Sequence, residues 1–339
     1  LENLEMKKTL VALAALAAAS AFAQSSVTLS GRASMDVSTF ETTGSTAGAA
    51  ADFKRRVRVA DTASRITFAA NEDLGGGLTG GFTSQIRFDP ATGDRASSGT
   101  GNALFHAANA YIGGGFGTVR VGKIAELSNC AFDPWGCTGG AGVIAGAAGT
   151  SGLIAAGTIA QAVSYATPTI AGFSGTYQTS VSTRTNERSV LSLNYANGPL
   201  AAQFLQSKNS ANTAADGTTH TTALLASNPI TDVAGKGTSI AASYDLGVAK
   251  IAAFNAKTED AAGAVTKNIS GLTASVPMGA YTLLAGYAKD KKALATADTK
   301  VGFGVNYALS KRTTLGADVF KQDAVGGSTG YVVRVGHAF

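Results

Sequence analysis

Apolar and polar residues alternate along most of the chain with a period of two, the period of a β-strand with two different faces. In "SVTLSGRASMDV" the residues Val27, Leu29 and Val37 share one face, and Thr28 and Arg32 lie on the other. The stretches "SRITFAANEDL" and "LTGGFTSQIRFD" repeat the alternation, which continues to the end of the chain. The pattern predicts about sixteen strands of roughly ten residues each.

The gaps between these strands also alternate, between short and long. Tight turns are predicted at "EDLGGG", "GGGFG", "TPTIAGF", "NGPL", "LGVA", "PMGA" and "ALSKR". Long polar connections are predicted at residues 40–53, 89–102, 125–160, 182–187, 209–236, 259–266, 290–299 and 322–328. An up-and-down barrel in an outer membrane has short periplasmic turns and long external loops. We therefore predict an all-β fold, a 16-stranded antiparallel transmembrane β-barrel.

Composition agrees with a large uncharged surface. Charged residues make up 14% and hydrophobic residues 45% of the 339 residues, although a soluble domain is usually about a quarter charged. In a barrel of about sixteen strands the interior holds water, so the apolar face contacts lipid and the polar face lines the lumen. We expect no cofactor, no metal site and no nucleic-acid partner.

The first residues resemble an export signal. Residues 6–23, "MKKTLVALAALAAASAFA", contain two lysines, an apolar run and a terminal Ala-Phe-Ala. This order predicts a signal peptide that is cleaved after Sec export, which leaves residues 24–339 as the barrel domain. Residues 1–5 precede Met6, and we interpret them as an upstream extension or a scar.

The two cysteines of the chain lie close together in "NCAFDPWGC". Export makes a disulfide between Cys130 and Cys137 possible, and we favour this interpretation over free thiols.

Several tyrosines precede short turns at similar positions. A ring of tyrosines at one depth is typical of the aromatic girdle of membrane barrels, although ordinary core tyrosines are the alternative. The predicted periplasmic girdle consists of Tyr111, Tyr165, Tyr195, Tyr244 and Tyr307.

Six stretches together resemble one known family: "SVTLSGR", "ASRITFAANEDLGGGL", "AYIGGGFGTVRVGK", "SYATPTIAGFSGTYQ", "NYALSKRTTLGADV" and "VGHAF". The sequence is similar to the general porins of Gram-negative bacteria, specifically the betaproteobacterial type. The resemblance implies a homotrimer in the outer membrane, in contact with lipopolysaccharide, and passive diffusion of small hydrophilic solutes and ions. It implies a third external loop, here residues 125–160, that folds into the lumen. It also implies that Phe339 is the signal read by the barrel-assembly machinery.

Strand parity predicts charge inside the pore. If Leu29, Ile66, Ile86, Val119 and Val333 face lipid, five arginines of the first, second, third, fifth and sixteenth strands face the lumen as one basic wall. They are Arg32, Arg65, Arg87, Arg120 and Arg334. The predicted pore acids are Asp36, Glu126, Asp133 and Asp318, and a basic cluster near the external mouth comprises Lys54, Arg55, Arg56 and Arg58.

A fixed positive field concentrates anions, but salt screens it over about 8–10 Å, so we predict a modest anion preference. The alternative is that the arginines pair with the four acids and leave the pore nearly neutral. "His106-Ala107" occupies a position where anion-selective relatives carry arginines, which argues against strong selectivity.

Two other function classes remain. A barrel enzyme needs a convergent acid–base set, but His106, His220 and His337 are scattered and there is no G-x-S-x-G motif, so we expect no enzymatic activity. A surface barrel that acts mainly as an adhesin or structural protein would have similar loops.

Overall fold

The computed structural model describes residues 26–42, 53–95, 104–137, 141–142, 157–181, 187–210, 235–292, 298–323 and 328–339. The predicted signal peptide, residues 1–5, His220 and most of the third loop lie outside these ranges. The described part holds no helix long and apolar enough to cross a membrane. It contains a short 3-10 helix, Cys130–Phe132, and the strands β1 (Ser26–Thr42), β2 (Phe53–Asp61), β3 (Arg65–Gly75), β4 (Leu78–Arg87), β5 (Ala107–Gly114), β6 (Gly117–Ala125), β7 (Thr158–Ala166), β8 (Phe173–Ser180), β9 (Glu187–Asn197), β10 (Leu200–Ser210), β11 (Gly235–Asp245), β12 (Lys250–Asp260), β13 (Val265–Met278), β14 (Tyr281–Asp290), β15 (Asp298–Ala308), β16 (Thr313–Asp323) and β17 (Ser328–Ala338).

These strands form one closed antiparallel sheet. The seam joins β17 to β1, with register from Arg32↔Ala338 to Thr42↔Ser328. Both β2 and β3 pair with β1, so they are two segments of a single barrel strand, and the 17 segments make sixteen barrel strands. Closure leaves no sheet edge whose backbone groups would lack partners in hydrocarbon. The predicted 16-stranded antiparallel barrel is confirmed.

The second barrel strand is interrupted, which the alternation did not predict. Between β2 and β3, Ala63 has a φ of 73°, and the Asp61 carboxylate accepts hydrogen bonds from the backbone N–H groups of Ala63 (3.0 Å) and Ser64 (2.8 Å). The strand begins at Phe53, at the end of the predicted connection 40–53, and Arg65 opens its second segment. The predicted mouth cluster Lys54, Arg55, Arg56 and Arg58 lies on β2, and only the side chain of Arg58 is among those described; it contacts Ser38 Oγ at 3.4 Å.

The two faces of the wall carry different side chains. Apolar residues on the outer face are exposed, for example Leu29 (59%), Leu272 (61%) and Val333 (59%). Residues of the opposite parity are mostly polar and buried, such as Ser192 and Ser239. The barrel thus presents a lipid-facing outer surface and a polar lumen, as the alternation predicts.

Four of the five predicted girdle tyrosines lie on the outer face beside short turns: Tyr165, Tyr195, Tyr244 and Tyr307. Tyr195 packs on Phe173 and Tyr307 on Tyr281, with ring centroids 4.6 and 4.7 Å apart. The assignment of Tyr111 to the girdle is wrong. Tyr111 pairs with Arg120 on the inner face, because Ile112 takes the outward position at this level.

The third loop folds into the lumen between β6 and β7. Its residue Phe132 packs into a buried cluster with Phe254 and Ile269, and Trp135 packs with Leu284 and Phe320. The described part of this loop therefore lies against the inner wall formed by β11–β17, which confirms the inward-folded third loop.

Candidate pore lining and constriction

Three arginines form a row across neighbouring strands of the inner wall. Arg32 of β1 lies directly opposite Arg65 of β3, which lies directly opposite Arg87 of β4. Side chains at opposed positions have Cβ atoms about 4.5–5.5 Å apart, so three like charges repel one another. This arrangement costs stability, and it places concentrated positive charge on one side of the lumen. We call these three residues the arginine row.

The strand interruption holds one member of the arginine row in place. Arg32 Nη2 donates to the carbonyl oxygens of Thr62 (2.9 Å) and Ala63 (3.2 Å). In an unbroken strand these carbonyls would bond to a neighbouring strand, whereas here they bind a guanidinium. Interruptions of this kind often redirect a side chain near a functional site.

Arg120 extends the positive surface along β6. Its Nη1 donates to Asn109 Oδ1 at 3.3 Å, and its guanidinium lies 4.6 Å from the ring centroid of Tyr111. The Tyr111 hydroxyl in turn donates to Asn71 Oδ1 at 2.8 Å. Tyr111 thus packs against Arg120 inside the barrel. Its place on the same face as Asn109 in the alternation predicts this inward position, whereas its place before a short turn favours the girdle.

Arg334 differs from the other four predicted wall arginines because it forms a buried ion pair. Its Nη1 lies 3.0 Å from Asp318 Oδ2, and Trp135 Nε1 donates to Asp318 Oδ1 at 3.0 Å. A side chain at Gly304 would collide with this carboxylate, so glycine is needed where the loop meets the wall. Arg334 lies on the inner wall as predicted, but its charge is paired with an acid, as the alternative interpretation expected for the wall arginines.

The four predicted pore acids are all buried, and three of them form hydrogen bonds or ion pairs, whereas Asp36 Oδ1 has no hydrogen-bond partner among the described residues. Glu126 forms an ion pair with Arg188, whose Nη2 donates to Glu126 Oε2 at 2.7 Å. Asp133 accepts from the backbone N–H of Trp135 at 3.1 Å inside the third loop. Asp36 lies opposite Arg334 in the β1–β17 register. Among the described residues, the alternative interpretation holds for Arg334, which pairs with Asp318, and no ion pair joins one of these four acids to the arginine row.

The third loop is fixed to the wall by polar contacts and closed by a disulfide between Cys130 and Cys137. Asn129 Nδ2 donates to Ser239 Oγ (3.2 Å), and Thr273 Oγ1 donates to the Phe132 carbonyl (2.9 Å). Lys300, buried in the wall, donates from Nζ to the Gly142 carbonyl at 2.6 Å. Sequence reasoning missed these anchors. One feature of the sequence could have indicated them. Residues such as Phe320 are apolar at inward positions, where most residues are polar, and such a side chain must be covered by another part of the protein.

His106 precedes β5 in the long connection after β4. Burial lowers the pKa of His106 to about 3, with further contributions from the positive charges of Arg87, Lys123 and Arg65. The imidazole is consequently neutral at physiological pH and adds no charge to this side of the lumen.

Comparison with known proteins agrees with this architecture. A model of the Gram-negative porin family matches residues 9–326. Outer membrane porin protein 32 of Delftia acidovorans is 29% identical over 91% of this chain and 88% of its own length. The major outer membrane protein P.IB of Neisseria lactamica is 32% identical over 59% of this chain, a match that spans 58% of that relative.

Solved structures share the fold. An anion-selective porin from Comamonas acidovorans superposes with a TM-score of 0.70 at 23% identity, covering 93% of this chain and all of that one. The outer-membrane protein OmpT of Vibrio cholerae gives a TM-score of 0.63 at 14% identity over 93% of this chain and 98% of its own. At these identities the likeness concerns the fold. With the family match over nearly the whole barrel, the chain belongs to the Gram-negative porins of the outer membrane.

Proposed function

We propose that this porin forms a water-filled channel through which small hydrophilic solutes and ions diffuse passively, with a modest preference for anions. The observation that carries the preference is the arginine row, three opposed guanidinium groups on adjacent strands. Like charges at opposed positions repel, so the three arginines lower the stability of the barrel. A role in the pore explains why they are present in spite of this cost.

The third loop supports the same conclusion by its lack of opposing charge. Its two acids, Glu126 and Asp133, are buried and bonded to other groups. The sequence from Pro134 to Ala156 contains no charged residue. In the described part of the third loop both acids are thus engaged, and a positive field in a narrow aqueous passage raises the local concentration of anions.

The preference is modest because the field acts across water. At physiological salt the potential decays over about 8 Å, and Arg334, the fifth predicted arginine, is neutralised by Asp318.

The test is a reversal-potential measurement on the purified protein in a planar bilayer, with a potassium chloride gradient. We expect a chloride-to-potassium permeability ratio above one that decreases as salt concentration rises. A clear cation preference would contradict the anion assignment, and a correctly folded barrel without conductance would contradict the channel itself.

We further propose the homotrimer, the contacts with lipopolysaccharide and assembly through the barrel-assembly machinery with Phe339 as its signal, which family membership supports. Conductance steps in groups of three and a chemically crosslinked trimer would test the assembly. The cleaved signal peptide over residues 6–23 also stays a prediction, which mass spectrometry of the mature protein would check.

A further inference from the structure

A cavity of about 290 Å³ lies inside the barrel beside the seam of β1 and β17. Two residues of the third loop, Pro134 and Trp135, form one side, and the turn between β15 and β16 forms the short-turn end. We call it the seam cavity. The ionisable residues that line it are all basic: Arg32, Lys311, Arg312, Arg334 and His337, the last with its ring hydrogen-bonded to Thr313 on the outward face.

The positive charge of the seam cavity is only partly balanced. Arg32 donates to two backbone carbonyls, and its Nε is buried with no hydrogen-bond partner among the described residues. The Asp318 carboxylate balances Arg334, but its side chain has no exposed surface, so it lies behind the cavity wall. Lys311 and Arg312 are exposed in the turn. The cavity therefore offers donors and positive charge, which suits an anion.

The wall is shaped so that the cavity stays open. A Cβ at Gly316 would lie 2.8 Å from Arg334 Nη2 and 2.9 Å from Asn306 Oδ1. Glycine allows the Arg334 guanidinium to lie close against β16, whereas a larger residue would push it into the cavity. Opposite this polar wall, Pro134 and Trp135 supply apolar surface. The volume lies just below that of small-molecule pockets, which measure about 300–1,000 Å³, so it suits a small ligand.

We propose that the seam cavity binds a small organic anion, with a carboxylate near Arg32 and Arg334 and an apolar body against Pro134 and Trp135. Lys311 and Arg312 attract the anion at the short-turn end, which is the periplasmic end of an outer-membrane barrel. The inference rests on the proposed function in one respect, since the ligand must enter through an open lumen. It differs from anion preference because binding at a site saturates as the anion concentration rises, whereas the effect of a field along the pore does not.

Trp135 is the only tryptophan of the chain, so its fluorescence reports on the seam cavity. The full chain, folded in detergent, is titrated with sodium benzoate, sodium acetate or sodium phosphate at constant ionic strength. We expect a saturable change with benzoate, half-complete at a concentration at least about tenfold below that for acetate or phosphate, because only benzoate combines a carboxylate with an apolar body.

Variants test whether the fluorescence change arises from benzoate bound in the seam cavity. Arg32→Gln should weaken benzoate binding at least about tenfold, because it removes a charge-assisted contact. Arg312→Gln, a substitution at an exposed turn position that should fold normally, should weaken benzoate binding about threefold. Lys250→Gln removes an exposed charge from the first residue of β12, which does not border the cavity, and should leave the titration unchanged.

Equal, non-saturating responses to the three salts would overturn the site, as would a benzoate response that persists unchanged in both arginine variants. Bilayer recordings of the same samples separate the two proposals. An anion-preferring channel without a saturable fluorescence change overturns the seam cavity and leaves the proposed function standing. A folded barrel that binds benzoate but does not conduct overturns the proposed function.

Discussion

The inner wall of the barrel has two regions that show the same alternation in the sequence but have different surroundings in the structure. From β1 to β6 the inward positions carry the arginine row and Arg120. From β11 to β17 many inward positions are apolar or glycine, including Phe254, Leu284 and Phe320, and the third loop covers them. Inward parity therefore places a residue inside the barrel, but contact with water depends on whether the loop lies over it.

The two regions act together on the passage. The described part of the third loop is packed on the β11–β17 wall, on the side of the lumen that does not carry the arginine row. Under the proposed function, solutes that pass near Arg32, Arg65 and Arg87 come within the distance over which a charge acts at physiological salt. Changes in either region should alter transport, but by different routes.

The largest expected effect follows from neutralising the charged region. The triple variant Arg32→Gln, Arg65→Gln, Arg87→Gln should lower the chloride-to-potassium permeability ratio to about one, because it removes three neighbouring positive charges from one side of the lumen. It should also fold at least as well, since it relieves repulsion between opposed side chains. The reversal potential in a salt gradient measures the ratio.

The matched control is Lys321→Gln, which removes an exposed charge from the outer face of β16, where the side chain pairs with Asp323. It should leave the ratio unchanged. An anion preference that survives in the triple variant would show that charge elsewhere governs the pore.

The next effect concerns the apolar region. Phe132→Ala removes the ring that packs on Phe254 and Ile269, and the loss of a buried phenylalanine costs about 3–5 kcal/mol. The third loop should detach more often, which would give noisier single-channel currents and faster cleavage of the loop by an added protease. The selectivity should change less than in the arginine variant.

Phe303→Ala is the control for this experiment, since it removes an aromatic ring of the outer face of β15 with 57% of its surface exposed. It should leave the currents and the cleavage of the loop unchanged. If Phe132→Ala behaves like this control, the packed cluster does not hold the loop.

A smaller effect is expected where the two regions meet, at Asp318. Asp318→Asn leaves Arg334 positively charged while the amide oxygen can still accept from Trp135. The anion preference should therefore rise, by less than the arginine triple lowers it, because one charge is uncovered. Asp245→Asn, exposed at the end of β11, provides the control in the same reversal-potential assay. A preference that stays constant or falls in Asp318→Asn would mean that Arg334 does not face the conducting water.

Much of the fold followed from local pattern. Alternation placed the strands and the outward faces, because lipid on one side and water on the other impose a period of two on every strand. The same rule placed Arg32, Arg65 and Arg87 on the inner face. Tyr111 was misassigned because its place before a turn was given more weight than its parity with Asn109.

What escaped prediction depends on contacts that are distant in sequence. The pairing of Arg334 with Asp318 across strands, and of Glu126 with Arg188 across 62 residues, follows from register and loop position. The break at Thr62–Ser64 has no apolar signature, since Asp-Thr-Ala-Ser suits a turn and a strand end equally. The contact that distinguishes the break, from Arg32 to the carbonyls of Thr62 and Ala63, joins residues about thirty positions apart.

The smallest expected effect concerns pH. A histidine with an ordinary pKa near 6.5 would gain charge between pH 8 and pH 5 and increase the anion preference. Burial and the neighbouring cations instead lower the pKa of His106 to about 3, so the imidazole stays neutral over this range. Because the folded-state pKa is depressed, the unfolded chain binds the proton more readily, and stability falls as pH drops below about 6.5.

We expect native protein and His106→Gln to show the same change in permeability ratio between pH 8 and pH 5, while acid destabilises the native protein more than the variant. A larger rise in anion preference for the native protein at pH 5 would show that His106 does become charged beside the arginine row.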